Sequence, residues 1–173
     1  MTYTLTARVL HWVIAALVLA LIPVGIAIAN VDFGPWQNTL YDLHRSTGTL
    51  VLLLMVVRLC WRLTHPAPPL PQDLQALQRF AAHATHFTLY GLVIAQTIVG
   101  WIATSAYRAP IRVFWLFNLP PIWREDRVFS ETMFGAHKLI GITLACMLGA
   151  HIGAALYHHF IRKDQILMRM VRG

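Results

Sequence analysis

The sequence predicts an all-α integral membrane protein, folded as an up-and-down four-helix bundle. Two observations carry this. Hydrophobic residues make up 57% of the 173-residue chain and charged residues only 12%, against about 45–50% and about 25% in a soluble domain; the mean hydropathy is +0.57. The apolar residues also gather into four stretches, 8–29, 41–63, 77–104 and 135–161, each long enough for the ~20 residues that a membrane span requires. The bilayer core offers no water to backbone polar groups, so each span must satisfy them internally as a helix. The connections leave no room for a second domain, and residues 1–173 read as a single transmembrane unit.

The first span opens at Arg8 and ends near "AIAN", which resembles a secretory signal with a small-residue cleavage site. Its apolar run from Val9 to Ala29 exceeds the roughly 7–15 residues of a signal core, so a retained span is expected. "NVDFGPWQN" turns the chain into the second span, and "THPAPPLPQD" is a stiff, proline-rich link to the third. The longer connection "SAYRAPIRVFWLFNLPPIWREDRVFSE" holds Phe114, Trp115, Phe117 and Trp123, aromatics suited to the membrane interface. A short amphipathic segment lying on the surface is expected there. The fourth span carries small residues at Gly141, Ala145 and Gly149, a row that lets helices approach closely or leaves room for a flat ligand.

Orientation follows from Lys and Arg. With both termini cytoplasmic, Arg58, Arg62 and Arg79 flank the inner connection, and Arg162, Lys163, Arg169 and Arg172 fill the tail. Positive charge beside span ends marks the inner side. The net charge of +7 therefore points to anionic lipid headgroups. Nucleic acid is a poor partner, since the basic residues flank spans instead of forming a patch. Cys60 and Cys146 fall inside spans, and no Cys-x-x-Cys-His motif is present for covalent haem attachment.

Nine histidines are the unusual feature of so apolar a chain. His137 and His151 lie fourteen residues apart in the fourth span. Fourteen helical residues turn through about 1,400° and rise about 21 Å, so both imidazoles face one way, one near each membrane surface. His11 opens the first span and His44 the second. Alternating topology then sets His11 level with His151 and His44 level with His137. Ionisable groups inside a membrane usually face the bundle interior and mark function. Two imidazoles facing across a bundle can hold one haem iron axially, so the four histidines predict two haem b sites, one at each level. Hydrogen bonding between helices is the plainer use of a membrane histidine. A zinc or copper site would want three or four ligands at one level.

Arg45 and Lys138 each follow one of these histidines, and Arg58 lies near a span end. All three suit haem propionates, since guanidinium and ammonium pair with carboxylates; snorkelling to the interface is the alternative. His83 and His86 sit near the inner end of the third span, where proton delivery, a quinone carbonyl or surface packing would each use them. His65 falls in the proline-rich link, and His158 and His159 at the inner interface.

"LHW" at 10–12, "DLHRSTG" at 42–48, "VVRLCWRLTHPAPPLP" at 56–71, "HFTLYGL" at 86–92 and "LYHHFIRKDQILMRM" at 156–170 together resemble the bacterial cytochrome b-561 family of dihaem four-helix membrane cytochromes. The resemblance covers almost the whole chain. It implies haem ligation at His11, His44, His137 and His151, residence in the bacterial inner membrane, and ubiquinone as electron acceptor. One activity of that family, superoxide oxidation at the periplasmic face with electrons passed to ubiquinone, is the function it implies first. Arg108, Arg112, Arg124, Arg127 and Lys138 would draw an anionic donor, with Glu125, Asp126 and Glu131 interspersed among them. The rivals are a membrane anchor and haem relay for a peripheral dehydrogenase or hydrogenase, whose donor is a redox protein, and a metal transporter lined by the same histidines.

Overall fold

A computed structural model of the chain describes residues 2–71 and 74–172. Four long helices dominate: α1 (Leu5–Asn30), α2 (Gln37–Thr64), α3 (Ala76–Tyr107) and α4 (Arg127–Tyr157). All four are long and apolar enough to cross a membrane. The all-α membrane bundle expected from composition is the observed fold.

Each helix is longer than its apolar stretch, and polar residues cap the starts of α1, α3 and α4. Thr4 Oγ1 accepts from the Ala7 amide at 3.3 Å and starts α1. A 3₁₀ turn at Gly34–Trp36 leads straight into α2, with Gly34 at φ +54°, a conformation glycine adopts without cost. Gln75 and Gln78 form a reciprocal capping box at the start of α3. Asp126 accepts from the Phe129 amide at 2.9 Å, so α4 begins eight residues before the span expected from hydropathy. Pro23 lies inside α1, a position membrane helices tolerate.

The segment between the third and fourth spans, for which the sequence suggested a short amphipathic element without its secondary structure, contains short strands. The structure has a β-hairpin there, β1 (Ile111–Val113) and β2 (Phe117–Leu119), antiparallel with Ile111 opposite Leu119 and Val113 opposite Phe117. Ile111 and Val113 alternate inward, at 6% and 7% exposure, and period-two burial on β-branched residues selects a strand over a helix. Ser46 of α2 fixes the hairpin: its hydroxyl donates to the Arg112 carbonyl at 2.7 Å and accepts from the Phe114 amide at 2.8 Å. The hairpin thus packs on α2 at Ser46, two residues after His44.

After α4 the chain passes through a π turn (His158–Arg162) and reverses at Lys163, φ +56°. A short helix α5 (Ile166–Val171) follows. It returns to the bundle end, where the Trp12 indole donates to the Met170 carbonyl at 3.0 Å.

α1 packs chiefly on α2, and α3 on α4, with α2 and α3 joining the two pairs. The fully packed core is thin. It comprises Ile14, Val18, Val51, Met55, Val93 and Leu144. Val18, Val51, Val93 and Leu144, one from each helix, each lie seven residues after a histidine: His11, His44, His86 and His137. Seven residues raise the chain about 10.5 Å and fall ~20° short of two full turns. The apolar layer therefore lies halfway between two polar levels.

Candidate functional site

The fourteen-residue step noted in the fourth span occurs in every helix. It joins His11 to Gly25 in α1, His44 to Arg58 in α2, His86 to Gly100 in α3 and His137 to His151 in α4. Alternating helix direction gathers these eight residues into two levels. One holds His11, Arg58, His86 and His151; the other holds Gly25, His44, Gly100 and His137. The hydropathy of the spans hides this register, since Gly25 and Gly100 draw no attention alone and Arg58 stands out only as a charge near a span end.

At the second level the rings of His44 and His137 face each other, centroids 6.3 Å apart and planes at 76°. Both glycines make this possible. A Cβ on Gly100 would stand 2.9 Å from His137 Cε1, and one on Gly25 would stand 3.0 Å from His44 Cε1. Each imidazole lies directly against the backbone of a neighbouring helix. His137 Nδ1 is 3.0 Å from the Gln96 carbonyl. A carbonyl only accepts, so Nδ1 carries the proton and Nε2 keeps its lone pair. His44 Nδ1 is buried with no hydrogen-bond partner, and Gln96 Oε1 is in the same state. Buried polar atoms of this kind call for a missing group.

At the first level His11 and His151 also stand 6.3 Å apart, with planes at 73°. Arg58 Nη2 lies 2.9 Å from His11 Nδ1, and its guanidinium covers the Tyr90 ring at 5.2 Å. His86 adds a third imidazole, edge-on to His151 at 5.4 Å.

The repeated 6.3 Å is chemically informative. An imidazole nitrogen lies ~1.1 Å from its ring centroid, so nitrogens turned toward each other along the line of centroids would be ~4.1 Å apart, too far for a hydrogen bond. It is about twice the ~2.0–2.1 Å bond between imidazole nitrogen and a first-row metal. Each pair is thus spaced to grip one ion between two rings. Among the described residues no three His, Cys, Asp or Glu side chains converge on a metal position. Two imidazoles at each level are a donor set that would suit an iron whose other ligands come from a macrocycle.

The chain matches the model of the family described as prokaryotic cytochrome b561 over residues 2–173. It belongs to the prokaryotic cytochrome b561 family. It is 30% identical over 171 residues to cytochrome b561 homolog 2 of Escherichia coli (strain K12), covering 98% of this chain and 90% of that one. It is 30% identical over 176 residues to cytochrome b561 homolog 1 of the same organism, covering 98% and 96%. A third relative is the probable superoxide oxidase CybB of Yersinia pestis, 29% identical over 167 residues, covering 94% and 91%. Membership makes this cytochrome a multi-pass inner-membrane protein that binds haem b and serves electron transfer.

The residues expected to meet propionates are placed unequally in this cytochrome b561. Arg58 points into the histidine level. Arg45 Nη1 reaches the Pro110 carbonyl at 3.3 Å and Asp42 at 3.8 Å, tying α2 to the connection before the hairpin. Lys138 is exposed. Among the basic residues of the connection between α3 and α4 and its flanks, Arg108 lies 3.7 Å from Glu125 and Arg127 stacks on Tyr107 at 4.0 Å, while Arg112 and Arg124 are exposed.

Proposed function

We propose that this cytochrome carries two haem b groups, one between His44 and His137 and one between His11 and His151, and moves single electrons from a periplasmic donor to ubiquinone. The observation that carries the reading is the pair of 6.3 Å imidazole separations, one at each level. Haem b, when bound, supplies a one-electron iron couple. Held between two imidazoles, the group would favour electron transfer over oxygen binding. The Gln96 carbonyl fixes the tautomer and ring orientation of His137. Ser46 anchors the hairpin to α2 two residues from His44.

Arg58 has a second task at the other level. A guanidinium only donates, so its contact with His11 Nδ1 places a lone pair there. Ligation through Nε2 asks for the opposite tautomer. Arg58 would therefore be free of His11 in the haem-bound protein and would hold a propionate, the better acceptor. Arg45 and Lys138 are the corresponding candidates at the His44 level.

Both termini are placed on the cytoplasmic side by the basic inner connection and tail, which makes the His44/His137 level periplasmic. Superoxide is the leading donor, in keeping with the relative named as a probable superoxide oxidase. Two superoxide anions each give up one electron and leave as dioxygen. One quinone takes both electrons and two protons to become quinol. The test is anaerobic addition of superoxide and a soluble quinone analogue to the purified protein, followed by visible spectra. Rapid appearance of the reduced b-type bands, with their decay on adding quinone, is expected. A reduced spectrum obtained only with a co-purifying redox protein would favour the relay subunit instead. His137→Ala is expected to bind half the haem of the parent; unchanged haem content would remove His137 from the ligand set.

A further inference from the structure

We infer that His86 is the positioning residue of His151, accepting the ring N–H that His151 does not direct at His11. The inference rests on the ligand reading above. A metal-ligating imidazole almost always donates its second N–H to a fixed acceptor, which sets its tautomer and raises its basicity. His137 has such an acceptor in the Gln96 carbonyl, 3.0 Å away. That contact exists because α3 carries Gly100 at the His137 level and its backbone comes close. Fourteen residues earlier, at the His151 level, α3 carries His86 in the equivalent register. A side chain there keeps the backbone back, so the acceptor has to be the side chain itself.

The distances separate the two roles an imidazole might play. His11 stands 6.3 Å from His151, the spacing for ligands on opposite sides of one ion. His86 stands 5.4 Å from His151 at an interplanar angle of 74°. That is too short for a trans ligand. With nitrogens aligned it leaves ~3.2 Å between them, within hydrogen-bond range. The two rings meet edge-on without a hydrogen bond between them in this structure, and the bond forms where a ring rotation brings one nitrogen to the other.

The test is a potentiometric titration of the full-length, haem-loaded protein carrying His86→Phe or His86→Gln. Both variants are expected to keep the full haem content. His86→Phe is expected to move one of the two midpoint potentials upward, because a less basic His151 supports the ferric state less well. His86→Gln, whose amide oxygen still accepts, is expected to return it towards the parent value. If His86→Phe does not accumulate in membranes, His86→Ala removes the acceptor without added bulk and is read in the same way. Unchanged potentials would overturn the inference, and so would loss of one haem in every variant, which would make His86 a ligand. His151→Ala run alongside tests the underlying reading: full haem content there sinks the ligand assignment, whereas loss of one haem with unmoved potentials at position 86 sinks only the positioning role.

Discussion

Two glycines decide whether the His44/His137 pair can form. Gly100 and Gly25 give up a Cβ so that imidazoles can lie on the helix backbone, with 2.9 Å and 3.0 Å the distances that a methyl would impose. The neighbouring atom in each case is a ring carbon held by its own helix, with little freedom to retreat. Gly100→Ala is therefore expected to push His137 off the Gln96 carbonyl and weaken haem retention at that level. Haem-to-protein ratio after detergent washing checks this: at least a several-fold faster loss of one haem equivalent is expected, with the other unaffected. Retention equal to the parent would show that His137 moves freely. Gly149, where a Cβ would meet nothing within 4 Å, is the matched control and should accept Ala unchanged. Histidine depth and facing were legible in the sequence because helical spacing fixes both. The glycines and Arg58 obeyed the same fourteen-residue step, but only the neighbouring helix gives a missing side chain its meaning.

At the scale of elements, the connections do more than join spans. The hairpin depends on Ser46, a hydroxyl 1% exposed that makes two hydrogen bonds to its backbone. Ser46→Ala leaves the Phe114 amide without its acceptor, at a cost of about 1–3 kcal/mol for a buried donor. Amide exchange over residues 111–119 should accelerate by one to two orders of magnitude in that variant, while the helices keep their protection. The turn after α4 has a carboxylate at its centre. Asp164 accepts from His158 Nδ1 at 2.6 Å and from the Ile166 amide at 3.1 Å, with Arg162 Nε 3.4 Å away. Burial would raise its pKa, but these hydrogen bonds and the His158 and Arg162 charges outweigh it and hold it below the usual 3.8. A depressed carboxylate contributes stability above its unfolded pKa and loses it as pH falls through the folded one. The α5 return should hold throughout the neutral range and loosen only below pH 3.8. Asp164→Asn should loosen it at neutral pH, seen as faster exchange at 166–171. The sequence predicted the position of these connections from Pro, Gly and charge. It missed the hairpin because a three-residue strand carries too short a pattern, and because its partners, Ser46 above all, lie more than sixty residues away in the chain.

For the whole molecule, the governing feature is three layers at seven-residue intervals: polar, apolar, polar. Val18, Val51, Val93 and Leu144 form the middle layer, and it holds the four helices in one register. Leu144, 3% exposed, is its residue from the helix that supplies a ligand candidate to both levels. Leu144→Ala is expected to destabilise the bundle by about 2–5 kcal/mol, the range for emptying a packed core site. Because the layer is shared, thermal release of haem should shift to lower temperature at both levels together. A shift at one level alone would show that the two halves pack independently. The sequence alone determined that the chain crosses the membrane four times, since a bilayer admits uncapped backbone nowhere and long apolar runs have no other stable state. It also determined which histidines share a depth, since rise per residue is fixed. Only the tertiary structure decided how far apart the paired rings stand, which imidazole has a backbone acceptor, and how the connection between α3 and α4 folds. Those quantities depend on how closely two helices approach, and that distance is set by side chains that are neighbours in space and strangers in sequence.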